Sequence, residues 1–208
     1  PQCGFLSGLA DISNANCQGV FGPIVQEIGL VQTVSEGDWS GHIELDYRPN
    51  DDWLTYAKIT RGHKAGGFNA AATAFFLPEE AAYGSEIPVT YEIGAKGTFW
   101  DGRARLGASA FYIDYKDFQT FTQVGLSLFL SNIDVEVYGS EIELALNPAE
   151  GWDILFGLSL LDAKQLDFDG PGGIQDRDSP NAPDVSFNAL VRYEWPMMNG
   201  MMAGQLDG

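Results

Sequence analysis

Residues 88–118, PVTYEIGAKGTFWDGRARLGASAFYIDYKDF, decide the fold, because they read as two long β-strands folded about one tight turn. In the first arm Tyr91, Ile93, Ala95, Gly97 and Phe99 share one face and Glu92, Gly94, Lys96 and Thr98 the other. That period of two marks a strand with one apolar and one polar side. The turn Trp100-Asp101-Gly102-Arg103 puts Asp-Gly where a two-residue hairpin needs positive φ, so the second arm returns antiparallel beside the first. That arm sets Phe111, Ile113 and Tyr115 against Tyr112, Asp114 and Lys116. By residue type Glu92, Lys96 and Asp114 are expected on the polar face, with Tyr91 and Tyr115 near the end far from the turn. Residues 105–110 alternate weakly because most of them are small.

The same pattern extends outward in both directions. Ile43, Leu45 and Tyr47 alternate with His42, Glu44 and Asp46, and a turn at 49–52 leads into a strand at 53–64. The faces of that strand stay open, since Leu54 and Tyr56 share parity with Lys58. Ile142, Leu144 and Leu146 oppose Glu141 and Glu143, and a turn at 147–151 leads to Trp152, Ile154, Phe156, Leu158 and Leu160 on one side. Val185, Phe187, Ala189, Val191, Tyr193 and Trp195 share a face of the last clear strand, before a turn at 196–200. Residues 65–87, 119–131 and 167–183 read as long connections, the first with a short helix in AAATAFF or EEAAYG. The short turns begin at 49, 100, 147 and 196, with two strands and one long connection per interval. A propeller blade needs four strands per repeat, so this spacing is not that of a propeller.

Composition narrows the class. Glycine is 25 of 208 residues, about 12% against an average near 7%, which fits an all-β chain rich in turns. A net charge of −18, from 29 acidic and 11 basic residues, excludes nucleic acid as a partner, because phosphates are bound by Lys and Arg that displace counterions. There is no run of 18 apolar residues, so a transmembrane helix is not expected, whereas membrane strands need only every second residue apolar. The chain opens Pro-Gln-Cys with no signal-peptide pattern, as expected of a cytosolic protein or of a piece of a longer one.

Three features favour a membrane barrel over a soluble sandwich. The strands run about 10 to 13 residues, as a tilted bilayer-spanning strand requires, against about 5 to 6 in soluble sheets. Short turns alternate strictly with long connections. Tyr47, Trp53, Phe99, Trp152, Tyr193 and Trp195 all lie close to the short turns, where they would form an aromatic girdle at one membrane interface. Cys3 and Cys17, in a Gly/Asn/Ser-rich segment, read either as a disulfide, closing a short loop for about 3 kcal/mol, or as two unrelated thiols.

Four stretches in order, YAKITRGHKAGGFN (56–69), TYEIGAKGTFWDGRARLGASAFYIDYKDF (90–118), YGSEIELALNPAEGWDILFGLSLLDAK (138–164) and SPNAPDVSFNALVRYEWP (179–196), resemble the β-barrel of TonB-dependent outer-membrane receptors. His63 departs from the family pattern, where an aromatic residue is usual. The resemblance implies a 22-stranded up-and-down barrel in the bacterial outer membrane, of which this chain would be an internal section of about eight strands. It makes 37–206 the barrel hairpins and 1–36 an extracellular loop region. A plug domain, absent here, would contact TonB, and the solute would be a small molecule such as a ferric siderophore.

No catalytic constellation, metal set or cofactor motif is expected: His42 and His63 lie on different strands, and the aspartates at 167, 169, 176 and 178 lack a calcium-loop register. Expected ligand contacts are Arg61, His63, Lys64 and Asn69 at the long-loop end, with Glu92, Lys96, Glu141 and Glu143 deeper in the wall. The bland alternative is that these charges only form a network across strands. A small eight-stranded barrel and a soluble β-rich binding domain are the rival readings.

Overall fold

The computed structural model describes residues 35, 37–69, 82–124, 127–170 and 173–208. Cys3, Cys17 and almost all of the expected N-terminal loop region lie outside them, as does AAATAFF. In chain order the strands are β1 (Gly41–Asn50), β2 (Trp53–Arg61), β3 (Gly67–Phe68), β4 (Ala82–Tyr83), β5 (Ile87–Phe99), β6 (Ala104–Val124), β7 (Ser127–Leu146), β8 (Trp152–Gly170), β9 (Gly173–Asp178), β10 (Val185–Met197) and β11 (Gly200–Asp207). Eight of them form one antiparallel meander in the order β1-β2-β5-β6-β7-β8-β10-β11, as the hairpin reading expects. β9 pairs with the far half of β8, and β3 with β4.

At the central turn the Arg103 amide donates to the Trp100 carbonyl at 3.1 Å. Asp101 and Gly102 have φ of 54° and 85°, the positive values that Asp-Gly was expected to supply, and Trp100 before them adds a third at 57°. Three connections differ from expectation. β6 and β7 are 21 and 20 residues long and continue their ladder to Val124↔Ser127, so most of 119–131 is hairpin strand. The reason is composition: 118–124, FQTFTQV, is rich in Phe, Thr and Val and has no Gly, Pro, Asn or Asp, which suits a pleated strand better than a loop. Likewise 167–178 is largely the β8–β9 hairpin. Ala82 and Tyr83, at the end of the candidate helix EEAAYG, pair as strand with Phe68 and Gly67.

The register settles the faces, because residues paired across a ladder stand on the same side. Lys58 pairs with Glu92 and Glu44, so Tyr56 and Lys58 join the polar face, while Ala57 and Ile59 join the apolar one. Glu141 and Glu143 lie in line with Ser109 and Gly107, on the same side as Glu92 and Lys96. Asp114 is a correction. It pairs with Val89, and Phe111 pairs with Glu92, so Asp114 stands on the side of Tyr91 and Ile93, and Tyr115 stands with Glu92. Residue type had matched the wrong parities of the two arms, although the turn position already implied the true register.

The apolar face lies open: Ile43 is 80% exposed, Leu45 73% and Phe187 71%. Tyr47, Trp53, Phe99, Trp152, Tyr193 and Trp195 all stand on it beside the short turns, with Trp152, Tyr193 and Trp195 in ring contact at 4.6 and 5.7 Å. A second aromatic row crosses the same face further up, Tyr91, Tyr112 and Tyr138, with centroids 6.2 and 4.7 Å apart. From Tyr91 down to Phe99 is roughly 26 Å of strand at about 3.3 Å per residue, which at a barrel strand's tilt of about 35–45° covers roughly 20 Å of an apolar band about 25 Å tall.

Candidate functional site

The opposite face is concave. A hollow of about 850 Å³ spans β2 to β10 and is lined by Leu54, Lys96, Arg105, Glu143, Leu155 and Asn188 among others. Above it Glu92 joins two strands: it accepts from the Tyr56 hydroxyl at 2.6 Å and pairs with Lys58 at 2.9 Å. Lys96 stands 5.7 Å from the Tyr56 ring. Gly94 makes this possible, because a Cβ there would meet the Tyr56 ring at 2.5 Å. Lys96, Arg105, Glu141 and Glu143 have no ion-pair partner within 4.0 Å among the described residues.

The other four expected contact residues lie at the far end and are held by neighbours. Arg61 donates to both Asp38 oxygens, at 2.8 and 3.0 Å, donates to the Trp39 carbonyl, and lies 4.6 Å from the Trp39 ring. The donated hydrogen bonds from Arg61 and the Trp39 amide hold the Asp38 carboxyl down at about 2. His63 Nε2 is 4.0 Å from Asp38. Lys64 bridges backbone to backbone with Glu86 and reaches its carboxylate at 3.4 Å. The Asn69 amide gives and takes one hydrogen bond with the Leu130 backbone, both 2.8 Å. Gln119 and Asn132 lace the same loop to the β6–β7 hairpin: Gln119 Nε2 donates to the Ala65 and Gly84 carbonyls, and Asn132 accepts from the Gly84 amide.

Sequence reasoning missed a repeated device in the long hairpins. β6 shifts register between Tyr115 and Phe118, and β8 shifts between Gln165 and Phe168. In each, the residue before the phenylalanine is an aspartate in the left-handed region, Asp117 at φ 55° and Asp167 at φ 49°. Each of these amides donates to a carboxylate on the partner strand, Asp134 or Asp176, at 3.0 Å. Asp tolerates this conformation better than most residues, and a bulge re-aims the side chain that follows. The signal was present as Lys-Asp-Phe at 116–118 and Leu-Asp-Phe at 166–168. Both bulges bring a phenylalanine back to the concave side, onto a row of Tyr115, Val135, Gln165 and Arg177.

A meander of long strands, apolar on one face and charged on its concave face, defines a section of a membrane β-barrel wall. More particularly, residues 22–205 match the family described as TonB dependent receptor-like, beta-barrel, and the chain belongs to that family. Solved structures share the fold. The ferric yersiniabactin uptake receptor FyuA from Yersinia pestis matches with a TM-score of 0.65 at 23% identity, over 81% of this chain and 25% of that one. The siderophore receptor PiuA from Acinetobacter baumannii matches at 0.56 and 18%, over 74% and 23%. The ferripyoverdine receptor of the outer membrane of Pseudomonas aeruginosa matches at 0.58 and 17%, over 78% and 21%. The chain thus spans about a quarter of the length of these structures.

Proposed function

We propose that this chain is part of the wall of a bacterial outer-membrane receptor that takes up a scarce solute, such as a ferric siderophore, using energy relayed through TonB. The observation that carries this reading is the division of one sheet. Its outer face is apolar between two aromatic rows, where lipid would lie, and its concave face is charged, where a solute path would run. The whole receptor would carry a plug domain that meets TonB, and a ligand such as an iron-siderophore complex would enter from outside.

Within this reading the candidates divide. Lys96, Glu141 and Glu143, with Arg105 beside them, lack ion-pair partners among the described residues and would face the plug. Arg61, His63, Lys64 and Asn69 shape the extracellular loop, and Glu92 organises the wall. The test is uptake of radiolabelled ferric complexes by iron-starved cells that carry the full-length receptor as their sole uptake protein. Uptake should vanish in a strain lacking TonB while surface binding persists. Equal uptake with and without TonB would refute the proposal and favour a passive barrel.

A further inference from the structure

The chain has 4 methionines in 208 residues, and all of them, Met197, Met198, Met201 and Met202, flank the single short turn between β10 and β11. Elsewhere the apolar face is filled by Ile, Leu, Val and Phe, as at Ile43, Leu45, Val185 and Phe187. Apolar filling alone therefore does not call for sulfur. Between Pro196 and Gly204 there is no Asp, Glu, His or Cys, and the Asn199 amide is the only polar side chain. The donors this turn offers are thioethers, which are neutral and polarizable.

The register gathers three of them. Met197 pairs with Gly200 and Trp195 with Met202, so Met197 and Met202 stand on the same apolar side, diagonal across the two strands. Diagonal partners lie about 7–8 Å apart, a gap that two long, unbranched side chains can close. Nothing fills that gap: Gly200 has no side chain, and a Cβ there would meet no atom within 4 Å. The Trp195 ring lies over Gly204, on the side away from the turn. Met198 sits at the apex, 94% exposed, with φ of 55°. That left-handed conformation suits Gly or Asn better than Met, and Asn199-Gly200 could have made a two-residue turn without it. The hairpin instead closes on Met198-Asn199, which puts a third thioether at the tip between the strands that carry the other two. A strained, exposed residue of this kind points to a function. Met201 pairs with Pro196 and stands on the opposite side.

We infer that Met197, Met198 and Met202 form a three-thioether site for the soft monovalent cation Cu(I). Soft sulfur ligands select Cu(I), whereas Mg(II) and Ca(II) need oxygen ligands and Zn(II) needs thiolate, imidazole or carboxylate, which this turn lacks. The site lies on the apolar side at the short-turn end, apart from the concave face, and stands independently of the uptake reading. The test uses the full-length receptor in detergent, kept anaerobic and reduced, with Cu(I) shared between the protein and the chromogenic chelator bicinchoninate. The parent should hold one equivalent of Cu(I) more than Met197→Leu/Met202→Leu. Met198→Leu should weaken that equivalent about tenfold or more, and Met201→Leu should leave it unchanged. Leucine keeps the apolar volume, and a heat-sensitive shift in gel migration, the same as the parent's, shows that each variant is folded. Equal Cu(I) bound by the parent and Met197→Leu/Met202→Leu would overturn the inference. So would an equal loss on Met201→Leu, or displacement of the Cu(I) by equimolar Zn(II). Each of these outcomes leaves TonB-dependent uptake, tested separately above, as it was.

Discussion

The two halves of the sheet are held by different chemistry. Between the aromatic rows the strands keep an unbroken register, and side chains bond one another, as Tyr56 and Lys58 do Glu92, without replacing backbone pairs. Above the tyrosine row the ladder breaks twice, and side chains take over backbone bonding. Asp134 and Asp176 accept the amides of the bulges, Asn132 accepts the Gly84 amide, Gln119 donates to the Ala65 and Gly84 carbonyls, and Asn69 exchanges two bonds with the Leu130 backbone. The difference follows from the solvent each half would meet. In hydrocarbon an unpaired amide has no partner, so only a complete ladder is tolerated; in water a side chain can substitute for a strand.

The largest expected effect tests the lower half. Ile93→Arg, on the apolar face between the two aromatic rows, should cost about 2–4 kcal/mol in the full-length receptor, read as a shifted unfolding midpoint in lipid. An arginine at Ser109, on the concave face, should cost far less; equal losses would erase the distinction between the faces. A smaller effect is expected above. Asn69→Ala removes two hydrogen bonds to Leu130 and should cost about 1 kcal/mol locally. It should appear as faster hydrogen exchange in the β6–β7 hairpin, with no change in the exchange of β5 below Tyr91. Exchange that rises throughout would mean that the halves are one cooperative unit.

The smallest effect concerns pH. Asp38 titrates at about 2 in the folded chain against about 3.9 when unfolded. A carboxylate lowered in this way contributes stability that is complete above the unfolded value and is lost as pH falls through the folded one. The Arg61–Asp38–Trp39 clasp should therefore keep a constant Trp39 environment from pH 8 to 5 and loosen only between roughly pH 4 and 2. Loosening that is already complete at pH 5 would show that the Asp38 carboxylate does not control the clasp.

How far the sequence could be read follows the same division. In the lower half, each residue's side is fixed by a period of two, and Ile43, Leu45, Tyr47, Glu44 and Asp46 state it openly. Beyond the hairpin turn the residue types mislead. Tyr112 is apolar enough to serve in a girdle, and the Phe111 ring fits on the polar side because Gly139 opposite it has no Cβ, so side must be counted from the Phe99↔Ala104 pair. In the upper half the bulges shift the phase of alternation, and strands that change phase resemble loops. The candidate residues at the mouth were legible as polar and near one another. That Arg61, Lys64 and Asn69 already had partners was not, since those partners lie 22 to 61 positions away in the chain.

Each Asp-Phe bulge inserts one extra residue, so Tyr115 and Phe118, three apart in sequence, end on the same side, as do Gln165 and Phe168. This makes the bulges junctions between a trunk of one phase and tips of the opposite phase. A tip of different length or composition can be joined above Asp117 or Asp167 while the trunk below keeps its apolar and charged sides. The alternation of the wall below is in this way independent of what the tips carry.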